Sequence, residues 1–429
     1  WDVDQMSNVG YFTVTVTAED GSSEVYTKDG VTTPPSTSSV TISAPSGVTV
    51  SPAGPHFPGT TVTLTANGDG EFFKEEVARQ AVKLESTYNP QTHQTTASFV
   101  VPDSDTVATV NITFALKTQY VNQNNPRITD GATNNVTEDT TLNGTGTIEI
   151  SKDTTINVPR GMTLTVDVSG NATRTKTPAI MVMEGAKLTL TGGGTIKLST
   201  TSDTPGIAVI GGELELTGMT LENTDWNIAV YDGKTSPSIV NVTDSTIKGN
   251  AGVAVYGTNK LENIVNLTRT TIQTDYVGVY QAGMMKVEIT DCNIAVQDDS
   301  AVEVRAGIAT IRNSSLYCAY QSATMSAGGN GTTTRGAALA VAPHTTGRTI
   351  TVAVIGGTLK AAAPVFVGDP QSSNSPVTVS VENAAVRNLA DGEAVNVCKN
   401  TYTSASVTVN GQKIEADVAT PPTGEATTR

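Results

Sequence analysis

Four aspartates and one arginine are the residues whose chemistry could support catalysis. They lie in the middle of the chain and are Asp225, Asp275, Asp298, Asp299 and Arg305. Two carboxyl groups held several ångströms apart can divide the acid and base roles in cleavage of a glycosidic bond, as in inverting glycosidases. A guanidinium beside them can bind a carboxylate or stabilise developing negative charge. The pair Asp298 and Asp299 could instead bind Ca²⁺, and no other cofactor is predicted.

A second group of candidates is aromatic and lies among these aspartates. Tyr231, Tyr256 and Tyr280 recur at steps of 25 and 24 residues, and Trp226 and Tyr276 lie close to them in sequence. Rings at a regular spacing can bind sugars or anchor a protein partner. Alternatively, they only stabilise the outer face of a sheet, by roughly 0.5–1 kcal/mol per pair.

The elements that would position both groups follow from an internal repeat of about 25 residues. Each repeat contains three short strands. The anchor of the second strand precedes the anchor of the third by five residues in eight of nine repeats, as from Leu216 to Leu221. The first-strand anchors are Val182, Val209, Val230, Val255, Val279, Val304, Val341, Val367 and Val397.

A recurring corner residue lies between the second and third strands. The corner positions are Gly218, Asp244, Arg269, Asp291, Asn313, Gly356, Asn383 and Asn410. Apart from Arg269 they are Gly, Asp or Asn, which tolerate a left-handed backbone. The conserved spacing and the corner chemistry together indicate a tight bend at the same place in every turn.

This pattern predicts an all-β chain whose residues 119–420 form a right-handed parallel β-helix of about nine to eleven rungs. In that register one file of side chains faces outward after the first-strand anchors. The file contains Ile210, Tyr231, Tyr256, Tyr280 and Arg305. The aspartates enter from the preceding turns, so carboxylates two rungs apart should lie about 10 Å apart.

The architecture resembles that of the pectate-lyase-like superfamily. Asn223-Thr224-Asp225 and Gln297-Asp298-Asp299 are similar to two signatures of polygalacturonase-type glycosidases, although the Gly-His-Gly and Arg-Ile-Lys signatures of that family are missing from the sequence. Asp298, Asp299 and Arg305 resemble the Ca²⁺-binding acids and basic residue of pectate lyases. The resemblance implies a polysaccharide lyase or glycosidase that acts on an extracellular glycan.

The first 118 residues have a different organisation. Residues 10–26 alternate in polarity around Asp20-Gly21, which predicts a β-hairpin within a segment 1–36 that ends in a linker. Residues 37–118 contain several short strands, which predict a small β-sandwich. The strings VTVSPAG, PGTTVTLTA and ASFVVPDSD resemble the immunoglobulin-like repeat of Gram-positive surface proteins. The resemblance implies a spacer module, and residues 421–429 are interpreted as a linker tail.

Composition excludes several classes of function. The net charge of −15 disfavours binding to nucleic acid. Three histidines and three cysteines do not support a disulfide scaffold or a histidine-based metal site. No apolar run reaches 18 residues, so no membrane span is predicted. Cys292 and Cys318 are interpreted as buried thiols, with a disulfide as the alternative, and residues 315–337 as a projecting loop.

These observations favour a non-enzymatic adhesin or binding module on the bacterial cell surface. Its expected partner is a host glycoprotein, a secreted host protein or a glycan, bound through Tyr231, Tyr256, Tyr280, Trp226, Tyr276 and Arg305. The chain is expected to be monomeric and extracellular. The alternative is an enzyme of the lyase or glycosidase type that uses the four aspartates.

Overall fold

The computed structural model describes most of the chain. The described residues are 2–6, 11–17, 23–29, 38–76, 80–103, 107–144, 146–170, 177–258, 261–328, 331–344, 347–389, 397–400 and 404–417. Every regular element in these ranges is a β-strand, so the all-β prediction is confirmed. The described part of the chain contains no helix with the length and apolarity that a membrane crossing requires. The predicted linker residues 30–37 and the tail 421–429 lie outside the described residues.

The chain divides into two compact units, Trp1–Lys117 and Thr118–Arg429. In the first unit, β2 and β3 pair antiparallel over seven residues, which confirms the predicted hairpin. The strands that begin in this unit are β1 (Asp2–Met6), β2 (Tyr11–Thr17), β3 (Ser23–Asp29), β4 (Thr41–Ser43), β5 (Val48–Ser51), β6 (Thr61–Asn67), β7 (Asp69–Glu76), β8 (Val82–Lys83), β9 (Ser86–Asn89), β10 (Gln94–Val100) and β11 (Thr109–Val121).

Two small sheets of the first unit enclose an apolar core. One sheet has the order β5-β6-β10-β9, and the other contains β4, β11, β7 and β8. Leu64 from the first sheet and Phe72 from the second are fully buried in the same cluster. The rings of Phe72 and Phe114 lie 4.6 Å apart. Alternation of buried and exposed side chains along β6 and β10 produces this two-layer packing, and the predicted β-sandwich is confirmed.

The second unit is a parallel β-helix with three ladders of strands. Sheet A contains eleven successive parallel strands closed by one antiparallel strand, and these are β12 (Thr133–Val136), β15 (Thr154–Asn157), β18 (Lys187–Thr191), β21 (Glu213–Thr217), β23 (Ile239–Thr243), β25 (Ile264–Thr268), β28 (Lys286–Thr290), β31 (Gly307–Arg312), β36 (Ile350–Ile355), β39 (Val377–Glu382), β42 (Ala405–Val409) and finally β43 (Gln412–Lys413).

Sheets B and C form the other two sides, and two long strands, β22 and β24, bend from one to the other. Sheet B contains β13 (Thr140–Asn143), β16 (Thr163–Asp167), β19 (Thr195–Ser199), the first parts of β22 (Thr220–Tyr231) and β24 (Thr246–Val255), β26 (Thr271–Thr274), β29 (Asn293–Val296), β32 (Ser315–Cys318), β37 (Thr358–Ala361) and β40 (Ala385–Asn388). Sheet C contains β14 (Ile148–Ile150), β17 (Ile180–Val182), β20 (Ile207–Ile210), the second parts of β22 and β24, β27 (Val279–Gln281), β30 (Ser300–Val304), β35 (Ala337–Val341), β38 (Ala363–Gly368) and β41 (Val397–Asn400).

Inward aliphatic side chains stack from rung to rung and form one continuous core. Ile207, Ile228 and Val253, for example, are aligned on three successive rungs and are fully buried. A single turn cannot bury its own apolar side chains. They are removed from water only when the turns before and after it pack against them. The predicted parallel β-helix is therefore confirmed.

The register differs from the prediction at two anchors. Val279 pairs with Val253, and it is Gln281 that continues the inward file after Val255. Gln281 is fully buried, and its side-chain nitrogen donates to the Met285 and Ile308 carbonyls. Likewise, Lys399 rather than Val397 follows Val367. The aliphatic pattern missed both positions because a polar side chain occupies a core position there.

The predicted corners are present at all eight positions. The φ angles of the corner residues lie between 43° and 72°, in the left-handed region. Arg269 adopts φ 46° like the others, although its side chain is unusual for this conformation. Its guanidinium binds the Asp244 carboxylate of the preceding corner, with Nε–Oδ1 at 2.6 Å and Nη2–Oδ2 at 2.8 Å.

The insertion predicted as a loop contains a β-hairpin. Strands β33 (Thr324–Gly328) and β34 (Gly331–Arg335) pair antiparallel. Met325 and Ala323 pack on Ala340 and Phe366, which point outward from sheet C. The hairpin therefore covers the outer face of sheet C at these rungs, because small alanines leave room for it.

Candidate functional site

The outer face of sheet C has a floor of small residues. Ala208, Ala229 and Ala254 are aligned on successive rungs, and each is at most 3% exposed. Tyr231 lies two positions after Ala229, and Tyr256 lies two positions after Ala254. Since side chains two positions apart point to the same side of a strand, these tyrosines also belong to the outer face.

Four aromatic rings form a contiguous cluster on this face. Tyr231 and Tyr256 are stacked, with ring centroids 5.3 Å apart and planes inclined by 16°. Tyr280 meets Tyr256 edge-on at 6.1 Å, and Trp226 lies 5.8 Å from Tyr280. All four rings are half-buried. We call Trp226, Tyr231, Tyr256 and Tyr280 the aromatic face.

The position of Tyr280 within this face differs from the prediction. Because of the two-residue shift at β27, Tyr280 aligns with Ala254 instead of Tyr256. The parity of the strand is unchanged, so the side chain still points outward. Tyr280 therefore joins the cluster by meeting the edge of Tyr256 and the indole of Trp226, and the three tyrosines do not form a single straight file.

Arg305 is buried, whereas the sequence predicted an outward, ligand-accessible guanidinium. The residue is 1% exposed. Its guanidinium carbon lies 5.4 Å from the Tyr280 ring centroid, and Nη1 donates a hydrogen bond to the Tyr280 hydroxyl. In the described structure Arg305 thus supports the aromatic face from below.

Glu303 is a member of this site that the sequence interpretation missed as a functional candidate. It pairs directly with Tyr280 across β27 and β30 and is 4% exposed. No hydrogen-bond partner of its Oε1 atom occurs among the described residues. Burial raises the pKa of Glu303 to about 8, Arg305 opposes the rise and the charge of Asp299 adds to it. The outward parity of position 303 was a signal, but an acid among alanines was not expected to be buried.

The four candidate aspartates line the turns that enter sheet C. Asp225 accepts hydrogen bonds from the Asp203 and Trp226 amides, each at 2.8 Å. Asp275 is exposed, and its carbonyl accepts the Asp298 amide at 2.9 Å, so these two residues occupy adjacent rungs. The aspartates therefore form a border beside the aromatic face, spread along the helix axis.

Asp298 and Asp299 have different environments although they are neighbours. Arg335 of the hairpin donates to both carboxylate oxygens of Asp298, and the same guanidinium stacks on Tyr320 at 4.1 Å. Burial raises the pKa of Asp299 to about 6, with a further contribution from the Asp298 charge, whereas Arg335 opposes the rise. One carboxylate is thus occupied by an ion pair, whereas its neighbour Asp299 is held in a partly desolvated position that favours its protonated form.

The pair Asp298 and Asp299 is also the predicted alternative site for Ca²⁺. No group of three or more His, Cys, Asp or Glu side chains suited to a metal ion occurs among the described residues. A Ca²⁺ site at Asp298 and Asp299 would have to compete with Arg335 for one of its two carboxylates.

Cys292 and Cys318 are both free and buried, so the interpretation as thiols is confirmed.

The chain was compared with protein-family models, curated proteins and solved structures. No protein-family model, no curated protein and no solved structure matches it.

The geometry combines an aromatic surface, an acidic border and two buried ionisable groups. The tyrosine hydroxyls stay neutral at physiological pH, since burial raises the pKa of Tyr231, Tyr256 and Tyr280. They can therefore both donate and accept hydrogen bonds. Such a surface can anchor a ligand through apolar contact and orient it through hydroxyl and carboxylate groups.

Proposed function

We propose that the β-helix is a non-enzymatic binding module and that the aromatic face is its recognition surface. One observation carries the proposal: four half-buried rings form a contiguous cluster on one outer face of the β-helix, on the side where the buried alanines Ala229 and Ala254 also point. Tyr and Trp clusters with an acidic border have the composition of protein interfaces, where such rings contribute most of the binding energy.

The setting of this module is part of the same proposal. The chain resembles an immunoglobulin-like spacer of Gram-positive surface proteins followed by a β-helix of the pectate-lyase-like type. We therefore infer an adhesin-like role at the bacterial cell surface, outside the cell. The expected partner is a host glycoprotein, a secreted host protein or a glycan, and the protein is expected to act as a monomer.

The proposal is tested by Tyr231→Ala combined with Tyr256→Ala. Both rings are stacked on the outer face, so their removal should leave the stacked aliphatic core intact and weaken binding in a glycan and host-protein array by more than tenfold. Tyr88→Ala combined with Tyr317→Ala removes two half-buried tyrosines elsewhere and serves as the matched control. If the first double variant keeps full binding while the array gives a clear signal, the aromatic face is not the recognition surface.

A second candidate function is glycan cleavage, favoured by the raised pKa values of Asp299 and Glu303. Carboxyl groups that hold a proton near neutral pH can act as general acids. The ion pair of Asp298 with Arg335 and the burial of Glu303 and Arg305 count against it, because these groups would have to be uncovered before a substrate could reach them. Product release from polyuronates or neutral glycans that Asp299→Asn abolishes would favour this candidate.

A further inference from the structure

The rings of the aromatic face cover one another. Tyr231 and Tyr256 lie nearly parallel at 5.3 Å, so each occupies one ring face of the other. The edge of a third ring, Tyr280, meets Tyr256, and on Tyr280 itself the Arg305 guanidinium takes up a position over the ring. Sugars bind to tyrosines mainly by lying flat on an open ring face. Tyr256, which has Tyr231 on one ring face and the edge of Tyr280 against it, therefore offers a ligand mainly its ring edge and hydroxyl group.

The groups that surround the aromatic face are acidic. Asp203 is exposed and its amide donates to the Asp225 carboxylate. Burial and the neighbouring tyrosines raise the pKa of Tyr256, and the Asp203 charge adds a small contribution in the same direction. Asp275 follows on the same border and is exposed. The whole chain carries a net charge of −15, so the local and the global fields have the same sign.

The two arginines described nearest the face are engaged within the protein. Arg335 is bound by Asp298, and Arg305 is buried under Tyr280. An independent observation comes from Glu303, a buried carboxyl group that pairs with Tyr280 and points outward from the sheet, and whose Oε1 atom has no geometric hydrogen-bond partner among the described residues. The exposed aspartates of the border thus give this site a negative potential, which disfavours a uronate or another anionic ligand.

We propose that the ligand of the aromatic face is a basic polypeptide segment. Its Arg or Lys side chains donate hydrogen bonds to the Tyr231 and Tyr256 hydroxyls and pair with the aspartates of the border. This inference rests on the proposed binding function and specifies the chemical class of the partner.

Arg305 shows the same mode of recognition inside the protein. Its guanidinium packs on the Tyr280 ring and donates to the Tyr280 hydroxyl. A guanidinium can make both contacts at once because it is planar and carries donors at its edge. At Tyr256, where Tyr231 covers one ring face, an incoming arginine can donate to the hydroxyl group, and exposed carboxylates of the border add a charge-assisted contact.

The experiment measures binding of the full chain to three immobilised probes by biolayer interferometry at 50 and 150 mM NaCl. The probes are the dodecapeptide (Arg-Ser)6, its acidic counterpart (Glu-Ser)6 and N-acetylchitohexaose, a neutral glycan. The site variants are Tyr256→Phe, which deletes only a hydroxyl group, and Asp225→Asn combined with Asp275→Asn. Glu149→Gln combined with Glu288→Gln removes two charges outside the aromatic face and is the matched control.

We expect (Arg-Ser)6 to bind, with an affinity that falls as salt rises. The aspartate pair variant should weaken binding by about fivefold, Tyr256→Phe by a similar factor, and the control by less than twofold. Equal losses in the control and the site variants would mean attraction by net charge alone and would overturn the inference, as would no binding of (Arg-Ser)6. Tyrosine-dependent binding of N-acetylchitohexaose without (Arg-Ser)6 binding would also overturn it but would leave the proposed binding function standing.

Discussion

Glu303 and Arg305 bring two ionisable side chains to the outer side of sheet C, where Glu303 lies between Tyr280 and Ala340. Both residues are almost completely buried, and Arg305 directly follows the end of β30, which contains Glu303. Arg305 is satisfied in part by Tyr280. Burial favours the neutral acid of Glu303 over the carboxylate, and Oε1 has no geometric hydrogen-bond partner in the part of the chain that the structure describes.

The consequence is a stability that depends on pH. The pKa of Glu303 is 4.5 in the unfolded reference and about 8 in the folded protein, so between these pH values the folded state keeps a proton that the unfolded state releases. Stability contributed by this group is complete below pH 4.5 and is lost as the pH rises to 8, by up to about 1.4 kcal/mol per pH unit. Asp299 adds a decline of the same sign between 3.8 and about 6.

Glu303→Gln should therefore flatten this decline and stabilise the β-helix relative to the parent at pH 8. The measurement is urea unfolding at pH 5, 6.5 and 8, with Glu149→Gln on the exposed part of the same sheet as the control. A parent and a Glu303→Gln variant with identical slopes against pH would contradict the assignment of a neutral acid at this position.

The corner residue Arg269 combines an unfavourable left-handed backbone with an ion pair on the surface. Its backbone has to be left-handed because the neighbouring corners bend at the same point of the turn, and its amide continues the corner stack by donating to the Thr290 carbonyl at 2.9 Å. The bidentate pair with Asp244 accompanies this strained conformation on the surface. Residue type alone indicated seven corners, and spacing alone indicated the eighth.

At the scale of elements, the hairpin of β33 and β34 determines how much of sheet C is open. Its apolar contacts are Met325 and Ala323 on the alanine and phenylalanine floor. Its polar contacts are the Arg335 pair with Asp298 and the hydrogen bond from Ser300 to the Thr334 carbonyl at 3.1 Å. Sequence composition, rich in Gly, Ser and Thr, predicted an excursion but not its pairing or its direction.

Met325→Ala should loosen this hairpin without unfolding the β-helix. Met325 is half-buried, so the variant should lose about 1 kcal/mol of local stability, and hydrogen exchange of the β33 and β34 amides should accelerate about fivefold. The exchange rates are measured by mass spectrometry, with the amides of β36 as an internal reference. Met181→Ala, on the same sheet but outside the hairpin contact, is the matched control. Unchanged exchange in β33 and β34 would show that Met325 does not hold the hairpin on sheet C.

At the scale of the molecule, stability comes from stacking rather than from any single turn. The three ladders share one core cluster, in which the inward residues of the middle rungs are aligned with those of the rungs above and below. The inward file of sheet C reaches Lys399, whose amine lies 4.0 Å from the Glu415 carboxylate. At the same end β43 folds back antiparallel on β42. Lys399 and the reversed strand β43 thus stand where another aliphatic rung could follow. Both features disfavour the pairing of a further strand with this end of the sheets.

If each rung is stabilised by its neighbours, the same Leu→Ala substitution should accelerate hydrogen exchange in more strands at a middle rung than at a terminal rung. Leu267→Ala removes a fully buried side chain from the middle of sheet A and should cost roughly 3 kcal/mol, with faster hydrogen exchange in β23 and β28 on both sides. Leu142→Ala makes the same chemical change in β13, the first strand of the sheet B ladder, which has a ladder neighbour on one side only. Its effect on exchange should be confined to β13 and β16. Identical exchange profiles for the two variants would argue against stacking as the unit of stability.

The sequence by itself determined the repeating architecture of the second unit. The repeat spacing, the aliphatic anchors and the corner residues each constrain local backbone and side-chain parity, and these properties depend on neighbouring residues only. They were sufficient to place Tyr231, Tyr256 and Tyr280 on one outer face. Tertiary structure decided the register at Gln281 and Lys399, the burial of Glu303 and Arg305, the pairing of Arg335 with Asp298 and the hairpin over sheet C. These features depend on which distant groups share a low-dielectric space, and side-chain type at a single position does not encode that.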